Sequence, residues 1–404
     1  MNTDQSKRYL EELNKCVRCG SCKALCPIYD DDPSEAMGPR GRIALLWGLS
    51  MGELKPSAVL NERIFSCILC GACSESCPPG VDIKEAIYHG RSLLRKSDKK
   101  RQYLRSLTKF SAKRPQLIFR FLRLSQYILF PYLSRKGLLS FQPDLPENPL
   151  RERNRVYTVT KKKGRVAVFT GCIVNFLYSH LGESLINVLQ GLGYEVILPG
   201  GEACCGVPLR TLGLEEEAME LARRNVRVFS KLKVKAVLSL CPSCITALKF
   251  EYPKLIGEGL EKAMDMSSFL IDELDTSRPS HLNSSFTSAA YHHPCHLNYG
   301  LGIKREPREI VKKAGIDLID TEGGCCGFGG LFSISCGEVS ERLLEKRIKE
   351  YADRGVETII SDCPGCIIQL KKGFKNKSVL HLIEVIEKAY LLERGKSKEF
   401  AIRA

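Results

Sequence analysis

No apolar run in this 404-residue chain reaches the roughly 18 residues that a membrane-spanning helix needs, so no transmembrane helix is expected. The opening stretch MNTDQSKRYLEELNKC is polar and lacks the apolar core of a secretion signal. Both absences point to a cytoplasmic, reducing compartment. The glycine-rich stretch 323–330 lacks G-x-G-x-x-G spacing after a strand, so it is not a dinucleotide fingerprint. No flavin, nicotinamide or haem site and no hydrolytic triad stands out. Acidic residues nearly vanish from 91–136, where fourteen Lys and Arg face a single acid, Asp98. That segment carries +13 of the formal +15, and the rest is close to neutral. No nucleic-acid motif accompanies the charge, so nucleic acid is not an expected partner.

Cysteine is what the chain has in excess: nineteen, an odd number. Ten of them form one five-cysteine pattern written twice. The first copy is Cys172, Cys204-Cys205 and Cys241-Pro-Ser-Cys244; the second is Cys295, Cys325-Cys326 and Cys363-Pro-Gly-Cys366. Corresponding positions lie 121 to 123 residues apart, which marks an internal duplication. Adjacent cysteines suit the demanding geometry of a disulfide poorly. Thiolates are soft ligands for iron–sulfur clusters, zinc or copper(I). Five exceed the four of tetrahedral zinc and of an ordinary cubane, so each copy points to a cluster with an unusual ligand count. A structural-zinc scaffold is the competing reading, which metal analysis separates.

Eight more cysteines form two C-x2-C-x2-C-x3-C-P runs: Cys16, Cys19, Cys22, Cys26 and Cys67, Cys70, Cys73, Cys77. This is the spacing of two-cluster bacterial ferredoxins. Three cysteines on a tight loop wrap one cube, and the fourth, before a proline that turns the chain away, reaches the other. The expected ligands are therefore Cys16, Cys19, Cys22 and Cys77 for one [4Fe-4S] cluster and Cys67, Cys70, Cys73 and Cys26 for the second. Gly20 and Gly71 let the backbone approach the sulfides. Helices are predicted over 7–15, over 58–66 and over 82–97, and the stretch from Met37 to Ile43 followed by ALLWGL reads as a turn and then a helix. This portion resembles the helical ferredoxin domain of fumarate reductase and its relatives.

Apolar and aromatic residues interleave with arginine through Leu117–Tyr132, which suits a basic amphipathic helix on an anionic membrane surface or an acidic partner. An arm wrapping its own domains is the alternative. Proline-rich 142–155 reads as a linker. Beyond it, strand patterns Arg165–Gly171, Glu195–Leu198 and Ala236–Leu240 alternate with helices 179–192 and 214–232. Ala289–His292, Asp317–Ile319, helix 338–353 and Thr358–Ile360 repeat the plan. Each cysteine group falls at the C-terminal end of a strand, where open α/β sheets bind ligands. The fold class expected is thus multidomain α+β, a helical two-cluster ferredoxin domain followed by two pseudo-repeated α/β domains. The expected boundaries are 1–97, 98–155 (arm and linker), 156–280 and 281–404.

The spacing within 172–244 and its second copy resembles the cysteine-rich CCG domain found in heterodisulfide reductases, in the glycolate oxidase iron–sulfur subunit and in the anaerobic glycerol-3-phosphate dehydrogenase complex. In that family a complete five-cysteine set can hold a noncubane [4Fe-4S] cluster. The segment GPRGRI resembles the glycolate oxidase protein; GCIVNF, CCGVPL and YHHPCH resemble the glycerol-3-phosphate dehydrogenase one. The intact Cys241–Cys244 and Cys363–Cys366 pairs depart from the usual glycolate oxidase pattern. The resemblance implies an oxidoreductase electron-transfer subunit with two cubane clusters and one or two further, noncubane ones. The implied partners are an FAD-linked 2-hydroxyacid (glycolate or lactate) dehydrogenase subunit and, toward the acceptor, a cytochrome b or the quinone pool, with the complex peripheral on the inner membrane face. Its alternatives are a heterodisulfide reductase type that cleaves a disulfide at a noncubane cluster, and the glycerol-3-phosphate complex. No residue stands out as catalytic. Cys336 has no counterpart in the first copy and is expected as a structural thiol. His292, His293 and His296 flank Cys295; packed, hydrogen-bonded roles are expected, with proton donation near a cluster as the competing role. Gly206 and Gly327 are expected to spare the double cysteines from a crowding side chain.

Overall fold

A computed structural model describes residues 3–135, 145–274 and 287–391. They form two compact units, each assembled from separated stretches. The first comprises Met1–Ser111, Gly206–Ala218 and Gly324–Arg347; the second comprises Ala112–Cys205, Met219–Gly323 and Ile348–Ala404.

The first unit is helical. Helices Thr3–Asn14, Pro39–Ser50, Ala58–Phe65 and Ile83–Leu94 surround a core that includes Leu13, Ile43, Leu46, Ile64, Ile87 and Leu94. Each such side chain contributes roughly 1.5–3 kcal/mol by leaving water. Local signals start the helices at Ala58 and Ile83 within a residue of where the sequence placed them, whereas the first helix begins at Thr3, ahead of the predicted 7–15. Ser57 caps one, its hydroxyl accepting from the Leu60 N–H at 3.2 Å, and Asp82 caps another through the Glu85 N–H at 3.1 Å. Pro39 occupies a first turn, where its missing N–H costs nothing. The two late segments are tied in by arginines. Arg91 and Arg105 each donate 2.9 Å bonds, to the carbonyls of Thr211 and Leu212, and Arg342 holds Asp31 in a bidentate pair with both bonds at 2.8 Å. One late segment begins just after a double cysteine, and the other contains one.

The second unit holds the repeats. Its strands are β1 (Val156–Tyr157), β2 (Gly164–Val168), β3 (Tyr194–Ile197), β4 (Val237–Ser239), β5 (Ala263–Asp265), β6 (Ser288–Tyr291), β7 (Asp317–Ile319), β8 (Thr358–Ser361) and β9 (Ser378–His381). They make a five-stranded sheet ordered β1-β3-β2-β4-β5 and a four-stranded sheet ordered β7-β6-β8-β9. Apart from β1, which runs antiparallel beside β3, all pairs are parallel. Removing β1 leaves the same order in both sheets, so the duplication read from cysteine spacing is a duplication of fold. Edge strands β5 and β9 were not among the strands read from the sequence. Helices Ser179–Gly191 and Leu382–Leu391 pack across the repeat, where Glu387 accepts from Ser184 and Asn187 at 2.5 and 2.7 Å.

Helix Pro115–Arg135, also in the second unit, buries Phe119 and Gln126, with the Phe119 and Phe176 rings 5.4 Å apart. Leu117, Phe121, Leu124, Ile128 and Tyr132 are exposed; helical spacing puts them on the opposite face. Among the described residues no helix is long and apolar enough to cross a membrane. Part of the predicted linker, 142–144, lies outside the described residues.

Candidate metal centres

The two ferredoxin-type loops share one backbone device. Arg18 and Leu69 have φ of 59° and 62°, and Gly20 and Gly71, two residues later, have φ of 88° and 86°. Left-handed residues thus bracket Cys19 and Cys70, and left-handed residues recur in loops whose backbone N–H groups bind anions. The glycines adopt this conformation freely; Arg18 and Leu69 are strained by it, as functional loops often are. Nothing in the residue types at 18 and 69 signals this.

Cys26, Cys67, Cys70 and Cys73 line one cavity, with Arg42 and Lys84 also in its wall. Leu69 N–H approaches the Cys67 sulfur at 3.4 Å. Burial pushes the Cys73 thiol well up, and the thiols of Cys70, Cys67 and Cys26 push it further. In the other expected set, burial raises the Cys22 thiol, and Cys16 and Cys77 add to the rise. Cys19 of that set is exposed, its sulfur 3.5 Å from the Ser21 hydroxyl.

The first repeat brings its five cysteines together. Cys172 sits in helix Gly171–Phe176 after β2, Cys204-Cys205 follow β3, and Cys241 caps helix Pro242–Thr246 after β4. Their thiols form a connected chain in which Cys172 meets Cys204, Cys204 meets Cys205, Cys205 meets Cys244 and Cys244 meets Cys241. Bonds from Cys204 and Cys244 bring the Cys205 thiol down to about 6, despite burial. Cys241 goes up to about 12, because the bond from Cys244, which lowers it, is outweighed by a bond to Cys363 and by burial. That last bond joins the repeats. Cys241 and Cys363 cap their helices with nearly identical backbones, φ −123°, ψ 107° and φ −123°, ψ 114°.

Residues of other types hold this first site. Buried Glu202 accepts from Gly171 N–H at 2.8 Å, Thr170 N–H at 3.2 Å and the Thr170 hydroxyl at 3.0 Å, which fixes the turn into Cys172. Burial raises its carboxyl, and nearby Arg151 opposes that. Asn225 accepts from Ala203 N–H at 2.8 Å and donates to the Cys204 carbonyl at 3.1 Å; the Tyr252 hydroxyl donates to the Cys205 carbonyl at 3.1 Å. Sequence reasoning passed over all three, because a buried Glu, Asn or Tyr carries no spacing signal.

The second set is divided between the units. Cys295, Cys363 and Cys366 lie in the second unit, Cys325 and Cys326 in the first. Gly206 and Gly327 are left-handed, at φ 86° and 83°. A Cβ on Gly327 would lie 2.5 Å from the Ser340 carbonyl, so what it spares is the chain's own backbone. His292 shares a 2.8 Å bond with the Tyr351 hydroxyl, and His293 meets the Ile303 carbonyl at 2.8 Å. Both fit packed, hydrogen-bonded roles. His296 stands apart from them, 3.1 Å from the Ser243 hydroxyl and 3.9 Å from the Cys295 sulfur. Cys336 is half-buried in the first unit, its sulfur 3.7 Å from the Phe65 carbonyl.

Four thiols around one cavity, left-handed loops about Cys19 and Cys70 and five connected thiols all fit iron–sulfur clusters. Residues 12–81 match the 4Fe-4S dicluster domain, and residues 166–249 and 289–371 each match the cysteine-rich domain. The chain is a dicluster domain joined to two cysteine-rich domains. Both matches point to [4Fe-4S] clusters as cofactors. The chain is 26% identical to the probable glycolate oxidase iron-sulfur subunit of Bacillus subtilis, over 94% of this chain and 93% of that protein. It is 27% identical to one of the subunits of the dihydromethanophenazine:CoB–CoM heterodisulfide reductase of Methanosarcina barkeri, over 90% of each. Among solved structures, a hypothetical protein from Helicobacter pylori superposes with a TM-score of 0.52 at 13% identity, covering 98% of this chain and 73% of that one; this likeness concerns the fold alone.

Proposed function

We propose that this chain is the iron–sulfur electron-transfer subunit of a membrane-associated FAD-linked 2-hydroxyacid dehydrogenase, of the glycolate or lactate type, and carries electrons from the flavin toward quinone. The observation that carries this reading is end-to-end similarity to a glycolate oxidase subunit, dicluster and cysteine-rich domains together. Cys16, Cys19, Cys22 and Cys77 would hold one cubane, and Cys26, Cys67, Cys70 and Cys73 the other. Cys172, Cys204, Cys205, Cys241 and Cys244 would hold a further cluster, as would Cys295, Cys325, Cys326, Cys363 and Cys366. Bound there, such clusters supply one-electron redox couples. The left-handed loops at 18–20 and 69–71 would offer backbone N–H groups to such clusters, and Glu202, Asn225 and Tyr252 hold the backbone of the first cysteine-rich site. The flavoprotein is a separate subunit in this reading, and the exposed basic helix Pro115–Arg135 is the surface assigned to an anionic membrane.

A second reading, disulfide reduction of the heterodisulfide reductase type, is favoured by the complete first thiol set and its contact with Cys363. One experiment separates the two. The anaerobically purified protein is assayed for iron and sulfide, then followed by EPR during titration with reductant and a small thiol. About sixteen irons per chain are expected for four clusters. Cubane signals with no response to thiol support the electron carrier. A paramagnetic signal raised by thiol under oxidising conditions supports disulfide chemistry and overturns the first reading.

A further inference from the structure

Arg42 and Arg91 are each 1% exposed, yet among the described residues neither meets a carboxylate. Arg42 donates to the Arg63 carbonyl at 2.7 Å and the Ser66 hydroxyl at 3.0 Å. Arg91 donates to the carbonyls of Ile64 at 3.3 Å, Phe65 at 3.1 Å and Thr211 at 2.9 Å, and also to that of Cys67. Carbonyl dipoles solvate a guanidinium without cancelling its charge. A buried cation without a carboxylate is costly, so Arg42 in the cavity wall and Arg91 on the carbonyl of Cys67, which lines that cavity, suit a site for an anion. Arg42 lines the cavity of Cys26, Cys67, Cys70 and Cys73 and lies within electrostatic reach of Cys26, as Arg91 does of Cys67.

The other ferredoxin-type set is surrounded differently. Its neighbouring arginine, Arg40, is partly exposed and spent on Glu35, with bonds of 2.7 and 2.9 Å, and Lys23 joins the same carboxylate at 3.2 Å. Water reaches that set through exposed Cys19 and screens such charges.

We propose that Arg42 and Arg91 are tuning residues that hold the cluster of Cys26, Cys67, Cys70 and Cys73 at a higher reduction potential than the cluster of Cys16, Cys19, Cys22 and Cys77. The inference rests on the ligand sets proposed above. Reduction takes one electron from an external donor and adds one negative charge; no bond forms or breaks and no proton moves. Burial alone disfavours the more negative state, but a fixed cation acts more strongly in the same dry surroundings. With two cations and, among the described residues, no acid in contact with either, the cations win, and electrons collect on this cluster.

The test is a dithionite titration followed by EPR on the parent chain and on Arg42→Gln, Arg91→Gln, Arg42→Lys and Arg40→Gln, each with iron and sulfide measured. In Arg42→Gln one of the two cubane couples falls about tenfold in its reduction equilibrium, equivalent to 59 mV for one electron. Arg42→Lys restores most of that shift, and Arg40→Gln leaves that couple in place. Both couples unchanged in Arg42→Gln at full iron content overturns the proposal; this variant also decides the matter if Arg91→Gln loses iron. A parent chain without two cubane signals overturns the ligand reading instead.

Discussion

A left-handed backbone is easy for glycine and costs other residues about 1–3 kcal/mol, most of all β-branched ones. Arg18 is exposed and carries that strain at φ 59°, so its side chain is not what the loop needs. Arg18→Gly is expected to keep both cubane signals and raise stability by about 1 kcal/mol, whereas Arg18→Val lowers it by more than that. Thermal melts of the anaerobic protein, with EPR on the same samples, read both effects. Glu202 works by the opposite logic, because its carboxylate satisfies several buried donors at once. Glu202→Ala leaves them unpaired in a dry interior, a cost of roughly 2–5 kcal/mol. Iron is expected to drop by about four per chain, one cluster's complement, with the ferredoxin-type signals intact. Loss of those signals as well would show that Glu202 supports the whole chain rather than one site.

At the scale of elements, helix Pro115–Arg135 is the piece whose surface does not match a free solvated helix. Leu124 and Ile128 are 84% and 80% exposed, flanked by arginines and with no acid anywhere in the helix. Burying that row at a lipid interface recovers apolar transfer energy, and each nearby cation adds about 1 kcal/mol toward anionic headgroups. Flotation with vesicles containing phosphatidylglycerol is expected to carry the protein, and vesicles of phosphatidylcholine alone are not. Leu124→Glu with Ile128→Glu should weaken binding at least tenfold without changing iron content. Equal binding by the double variant would return this helix to the role of an arm, or of a docking face for a protein partner.

For the chain as a whole, the first sheet is clamped by one carboxylate. Glu273 accepts from Lys235 at 2.9 Å and the Tyr194 hydroxyl at 2.7 Å, and Lys163 joins them. Burial would raise its pKa, but these partners win and bring it down to about 2. A depressed carboxylate pKa adds stability above the unfolded value, near 4.3, and that stability is lost as the pH falls toward the folded value. The two lysines are half in water, so the contribution is discounted to about 1–2 kcal/mol. Glu273→Gln is expected to lower the melting temperature by a few degrees at pH 7, with the gap to the parent closing as the pH falls below about 4. A gap that stays constant with pH would mean that the change acts through packing.

Cysteine spacing is a one-dimensional signal, and it determined a good deal unaided. The C-x2-C-x2-C-x3-C-P runs named the ferredoxin-type loops, and the offset of 121 to 123 residues named a repeat whose two sheets share one strand order. Strands β2, β4, β6 and β8 were legible because a central parallel strand is a short apolar run. The edge strands β5 and β9 were not, although the edge strand β7, no longer than either, was. Tertiary structure alone decided that Arg42 is buried without a carboxylate while Arg40, two residues away in the same GPRGRI segment, pairs with Glu35. It alone placed Glu202 behind Cys172 and set Cys241 against Cys363. A ligand run works through neighbours in the chain, so sequence records it; burial and charge compensation depend on neighbours in space, which only the folded chain brings together.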